Sequence, residues 1–249
     1  MFVRFYYFCV KQLCKFIGLP FTFSSDGEDV IIFKYLCKIN KGIYIDVGSN
    51  LPVKHSNTFL LYLTGWRGVC IDPLPNLRKK YCVIRSRDKF INAGVLRSKS
   101  ELVKTQTFFY YKKNKDNSTF DTERVKELSE KFSREPSSII EMPIVSVSNI
   151  LSAVEDFFID SKDIGLLNLD IEGFELDILQ DFFSCDVYPW VVCVEELGKT
   201  ADTLKDGEIY KLMIKRGYIL GSRTFLSSIY ILKEQIGKLP SPYIKELKL

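Results

Sequence analysis

Apolar residues along this chain come in short unbroken runs, separated by stretches in which they recur every three or four positions. Five runs read as strands: Gly42–Gly48, Gly68–Asp72, Phe90–Val95, Ile164–Gly173 and Pro189–Glu196. Each is rich in Ile, Val, Leu or aromatic residues and bounded by Gly, Pro or a polar residue. Between them lie helical patterns over Ser56–Trp66, with Ser56 as N-cap, and over Asn76–Val83, Asp121–Phe132, Ile150–Phe158, Phe174–Phe183 and Tyr210–Arg216. Thr105–Lys113 reads as a further strand, at an edge or in an insertion, and the stretch SREPSS is looser. The closing GYILGSRTFLSSIYIL predicts two strands around a short turn.

Strands that are apolar throughout, rather than alternating, need cover on both faces, as strands of a parallel sheet have. Alternation of such strands with helices predicts an α/β fold, a doubly wound, mostly parallel sheet. The closing hairpin would add a terminal antiparallel strand.

The 249 residues make one large domain, or one domain with additions, and no apolar run approaches the roughly 20 residues that span a bilayer. The seven cysteines are odd in number and lack CxxC spacing. Cys70 and Cys193 fall in strand runs, where a thiol acts as a small hydrophobe. No disulfide framework or zinc site is expected, and a reducing, cytoplasmic location fits. A net charge of +4 is weakly informative, and no aromatic–basic RNA-binding signature is present, so nucleic acid is not an expected partner. The basic residues from Arg78 to Lys115, Arg85 and Arg87 among them, read as a solvated face.

Residues 1–22 form a separate expectation. Arg4, Lys11 and Lys15 fall on one arc of a helix and Phe2, Phe5, Cys9, Leu13, Phe16 and Ile17 on the other, with Gly18 and Pro20 as stops. This basic amphipathic helix packs on protein or lies in a membrane interface through residues 1–20. No small-residue cleavage site follows it, so a secretion signal is not expected.

In a doubly wound fold, ligands bind beyond the carboxyl ends of the strands. Those ends read Asp46-Val47-Gly48-Ser49-Asn50, Asp72-Pro73, Asn92-Ala93, Asp170-Ile171-Glu172-Gly173 and Glu195-Glu196, and they are rich in carboxylates. A dinucleotide site needs GxGxxG to cradle a pyrophosphate. Here only Gly48 of that pattern is present, after an acid that would repel phosphate. The pattern suits a nucleoside with a cationic tail, such as S-adenosylmethionine. Asp46 would stand near its amino-acid end and Gly48 would allow close backbone approach. Asp72 would take the ribose hydroxyls, and Asn92 and Ala93 would border the adenine. The bland alternative is that Asp46 and Asp72 only cap the following helices.

The ordered series KGIYIDVGSN, SNTFLLYLTGWRGVCIDPLP, NAGV, LNLDIEGFELDIL and PWVVCVEE resembles the FkbM family of S-adenosylmethionine-dependent methyltransferases. The segment SSDGEDVII (Ser24–Ile32) is similar to that family's opening segment, and Asp170–Glu175 is the most distinctive block. The resemblance implies a class I, Rossmann-like methyltransferase domain over residues 23–249 that methylates hydroxyl groups, often on sugars or polyketides. It places Asp46, Gly48, Ser49 and Asn50 in the cofactor loop, Asp72 and Pro73 at the ribose, and Asp170 and Glu172 at the reacting end. Residues 99–148 match poorly, which marks a variable insertion where substrate choice would lie.

An alcohol attacks a methyl sulfonium better while its proton is being removed. Candidates for that base are His55, the only histidine, and Asp170, Glu172 and Glu195. Glu172 facing Glu195 would also offer a divalent ion the oxygen ligands that Mg²⁺ takes, although no metal ligand set is predicted. The expected activity is O-methyl transfer to a small molecule or glycan, on a saccharide or glycolipid hydroxyl, at the membrane face if residues 1–20 bind lipid. The alternatives are a catalytically silent Rossmann-like subunit of a glycan pathway and a nucleotide-dependent oxidoreductase.

Overall fold

The computed structural model describes residues 21–39, 41–96, 104–157, 164–171, 173–198, 200 and 202–237. The expected helix over residues 1–20, part of the insertion and Glu172 lie outside them.

The described chain is mixed α/β. Strands β1 (Ile43–Val47), β2 (Arg67–Ile71), β3 (Lys89–Ile91), β7 (Ile164–Leu169), β8 (Val191–Glu195), β9 (Tyr218–Arg223) and β10 (Ser227–Leu232) form one sheet in the order β3-β2-β1-β7-β8-β10-β9. All pairings through β8 are parallel, and β10 is antiparallel to both neighbours. One strand therefore runs against the rest, as the closing hairpin led us to expect.

Helices α1 (Glu28–Leu36), α2 (Phe59–Thr64), α3 (Leu77–Ile84), α5 (Val147–Phe157), α6 (Glu175–Ser184) and α7 (Glu208–Lys215) cover the sheet. Alternate strand residues feed two cores. Tyr44, Cys70, Leu166, Cys193 and Ile229 pack on one face with α1 and α2, and Ile45, Val69, Leu167, Val192 and Tyr230 on the other with α5, α6 and α7. Burial on both faces is why these strands lack polar alternation.

Four differences from the sequence reading have local causes. The run Phe90–Val95 is not one strand: after β3 the chain leaves the main sheet, and β4 (Gly94–Val95) pairs with β6 (Ser138–Val145) instead. β6 itself is a strand the pattern missed, because Pro143 and Glu141 interrupt its apolar residues; it is the centre of a three-stranded sheet, β4-β6-β5, with β5 at Thr105–Tyr110. Helix α1 follows Gly27, whose φ of 86° makes the turn, and carries no polar cap that would announce it. Ser56 accepts the Phe59 N–H at 3.1 Å, but α2 begins only after Thr58. The polar helix α4 (Thr122–Phe132) is capped by Asp121, which accepts the Glu123 N–H at 2.8 Å.

Arg85 is a larger correction, since it belongs to no solvated face: it is fully buried at the end of α3. Its Nε donates to Asp88 at 2.6 Å, Nη1 to Ser56 Oγ at 3.2 Å, and Nη2 to Tyr44 Oη at 2.8 Å and Thr58 Oγ1 at 2.9 Å. Asp88 also accepts the Tyr44 hydroxyl and the Gly68 N–H at 2.9 Å. A buried cation is tolerated only with such complete pairing.

Among the described residues no helix is long and apolar enough to cross a membrane.

Candidate active site

The register of the main sheet aligns Ile91, Ile71, Val47, Leu169 and Val194 across five parallel strands. The next residue on each strand is therefore Asn92, Asp72, Gly48, Asp170 and Glu195, and Glu195 pairs with Ser227 of β10. One row of positions runs across the carboxyl edge of the sheet. Above it lies a cavity of about 330 Å³, bordered by Gly48, Asn50, Asp72, Pro73, Ala93, Asp170, Glu195 and Ser227 from the strand ends. Ser25, Glu28, His55 and Asn57 line one side of it, and the insertion contributes Phe108, Lys115 and Ser118–Phe120.

Gly48 has φ of 78°, and a Cβ there would lie 1.7 Å from the carbonyl oxygen of Asp170. Only glycine fits so close a passage between β1 and β7. The loop after it is tied down: the N–H groups of Gly48 and Ser49 donate to the Ile71 carbonyl, and Tyr81 Oη of α3 donates to the carbonyls of Ser49 and Asn50 at 3.0 and 3.2 Å. Asn50, at φ 46°, directs its N–H to Asp72 Oδ2 at 2.7 Å.

Asp72 is 4% exposed. Its other oxygen accepts the Leu74 N–H at 2.7 Å. Burial raises its pKa to about 6, against the lowering effect of those two backbone donors and of Lys115. The carboxylate is thus fixed in orientation at the cavity wall and ionised at neutral pH.

The remaining expected site residues are placed as follows. Asp46 does not reach the cavity; it is 1% exposed, on the α1–α2 face, where it accepts hydrogen bonds from Thr58 Oγ1 and, at 2.9 Å, from Asn168 Nδ2 of the neighbouring strand. Burial raises its pKa, and Arg85 opposes that. Ser49 is buried beneath the loop, its hydroxyl without a partner among the described residues. Asn92 spends its amide on the carbonyls of Asp72 and Leu74, at 2.8 and 3.0 Å, and fixes the turn that carries Asp72. His55, at φ 57°, is an exposed residue on the cavity's side, with Nδ1 3.0 Å from Ser25 Oγ. Glu172 is not among the described residues. Among those that are, no group of three or more His, Cys, Asp or Glu side chains is arranged to hold a metal ion.

Glu28 and Asn57 were not expected at the site. Glu28 is buried, with Oε1 accepting the Thr224 hydroxyl at 2.7 Å and Oε2 the Asp26 N–H at 3.0 Å. Their sequence signals were weak: an acid after a glycine turn, and a polar residue beside a predicted N-cap.

A parallel sheet with carboxylates along its carboxyl edge, a glycine turn in the middle of that edge and a cavity above it defines an α/β protein with its candidate site where open α/β sheets bind ligands. A family model described as the methyltransferase FkbM domain matches residues 46–220, from Asp46 in β1 to Leu220 in β9. The chain belongs to this FkbM methyltransferase domain family. No curated protein and no solved structure matches it.

Proposed function

We propose that the protein is an S-adenosylmethionine-dependent O-methyltransferase acting on a hydroxyl of a saccharide or glycan. The observation that carries this reading is Asp72: a buried, ionised carboxylate at the end of β2, oriented by two backbone N–H groups, with a glycine passage beside it. Each carboxylate oxygen retains a lone pair, and the pair suits the two hydroxyls of a ribose. The close approach of Gly48 to the Asp170 carbonyl keeps the loop between β1 and β7 free of a side chain at the cavity's edge. Four carboxylates and one lysine among the described lining residues favour a ligand with a positive centre.

Asp72 would hold the ribose, Pro73, Leu74 and Ala93 would border the base, and Gly48 and Asp170 would flank the amino-acid end. When bound, the cofactor supplies an activated methyl group on a sulfonium. The protein's part is then to hold an acceptor oxygen in line, about 3 Å from the methyl carbon, and to take its proton. His55 is the residue for that proton: in the tautomer whose Nδ1–H donates to Ser25 Oγ, Nε2 would be the base. Glu28, Glu195 and Ser227 supply acceptors for the other hydroxyls of a sugar ring.

The insertion bears on the opposite end. Lys115 acts on Asp72, and Phe120 packs on Gly94 just after β3. In this reading the insertion covers the nucleoside end, and residues 25–57 with the strand termini Glu195 and Ser227 face the acceptor.

The test is incubation with cofactor carrying a labelled methyl group and a panel of glycans, read by mass spectrometry. Label in an alkali-stable methyl ether is expected. Label confined to carboxyl or amine groups would overturn the O-methylation reading.

A further inference from the structure

The hydrogen bonds beneath the cavity have directions that chemistry fixes. Arg85 can only donate, and it donates to Thr58 Oγ1 at 2.9 Å. The Thr58 proton is thereby sent to the Asp46 carboxylate. As a carboxylate, Asp46 only accepts, so Asn168 presents its Nδ2 to it, 2.9 Å away. The amide of Asn168 is then turned with Oδ1 outward, and it accepts Nδ2 of Asn57 at 2.9 Å. Asn57 borders the cavity. With its nitrogen turned to Asn168, the carbonyl oxygen is the end of this amide left for a group in the cavity. An unconstrained asparagine presents either end; this one is set as an acceptor by a buried charge two side chains away.

The position of that oxygen names its ligand. Asn57 is joined to β7 through Asn168, two residues before Asp170 and beside the Gly48 passage, in the middle of the row. Asp72, two strands from β7, takes the ribose. The group that lies past the ribose toward β7 is the amino-acid end of the cofactor, whose α-ammonium is a three-proton donor. We propose that Asn57 Oδ1 receives that ammonium, with Arg85, Thr58, Asp46 and Asn168 as positioning residues that hold its amide in the accepting orientation. Asp46 thus serves the amino-acid end without touching it. The assignment rests on the reading of the cavity as an S-adenosylmethionine site.

Calorimetry on the full chain with two probes tests this. S-adenosylhomocysteine carries the α-ammonium; 5′-methylthioadenosine has the same nucleoside and sulfur but no amino acid. Asn57→Ala, a change in a partly exposed loop, is expected to weaken the first by about tenfold or more, the scale of a hydrogen bond to a charged group. It should leave the second within about twofold. Asn168→Ala should reproduce the split, because a released Asn57 amide can flip. Equal weakening of both probes would make the relay merely structural, and unchanged homocysteine binding would remove Asn57 from the ammonium; either result overturns the proposal. Wild-type protein that binds neither probe would instead bring down the cofactor reading, and the proposal with it.

Discussion

The backbone of Gly48 passes so near the carbonyl of Asp170 that a methyl group on its α-carbon would overlap that oxygen, at 1.7 Å. Two strands that bracket the centre of the site are thus held at a spacing set by the absence of a side chain. Gly48→Ala must separate β1 from β7 or flip the turn out of its positive φ. We expect a loss of about 2–4 kcal/mol in urea unfolding, the sum of an overpacking and a backbone cost, together with loss of S-adenosylhomocysteine binding. A variant of native stability that binds normally would show that the passage is not part of the site.

Asp72 makes stability depend on pH with a definite sign. Its carboxyl holds a proton up to about pH 6 in the fold, against an ordinary value of 3.8. The folded state therefore binds the proton more tightly than the unfolded chain. This contribution favours folding below about pH 4 and is lost as pH rises through 6, where it amounts to about 3 kcal/mol. Asp72→Ala should flatten the stability profile between pH 4 and 7 by an amount of that order. A profile unchanged by the substitution would mean that the group titrates normally.

The same titration acts oppositely on the ligand. A protonated Asp72 offers a ribose one acceptor fewer, so cofactor affinity should fall as pH drops below 6, about tenfold weaker at pH 5 than at pH 7.5. Affinity that is level across this range would argue that Asp72 does not touch the ribose.

Arg85 and Asp88 are each other's main compensation for burial. Removing the charge from one leaves the other uncompensated, so Arg85→Met should cost about 3–5 kcal/mol in denaturant unfolding, and Arg85→Met with Asp88→Leu appreciably less than the sum. Strict additivity would mean the pair is not coupled.

His55 separates chemistry from binding. His55→Ala should lower turnover by about 10²–10⁴-fold and leave S-adenosylhomocysteine affinity within about twofold. A turnover loss below about threefold for His55→Ala would pass the base role to Asp170 or Glu195.

The strand ends were legible because burial on both faces forces largely apolar runs, and most of the polar residues beside them come where the strands stop. That is why Gly48, Asp72, Asp170 and Glu195 could be read as one edge before their register was known. Arg85 was illegible for the complementary reason: in a run of lysines and arginines only Asp88, three residues on, is a local partner, and Tyr44, Ser56 and Thr58 lie in two distant segments. Asn168 did carry a signal, a polar residue inside the apolar run IGLLNL, which a buried strand keeps only for a partner. Its partner Asp46 was read instead as a residue facing the ligand. Strand β6 escaped because Pro143 breaks its pattern and its neighbours come from the insertion rather than the main sheet.

In the proposed function, the fixed Asp72 carboxylate at the end of β2 grips an adenosine ligand. Titrating S-adenosylhomocysteine into wild-type protein and Asp72→Ala at pH 7.5, beside NADH as a control, tests it most directly. Saturable one-to-one binding to the wild type, at least tenfold weaker in the variant, with no heat from NADH, is the expected result. Binding of NADH in place of the homocysteine compound, or equal affinity in the two proteins, would contradict it.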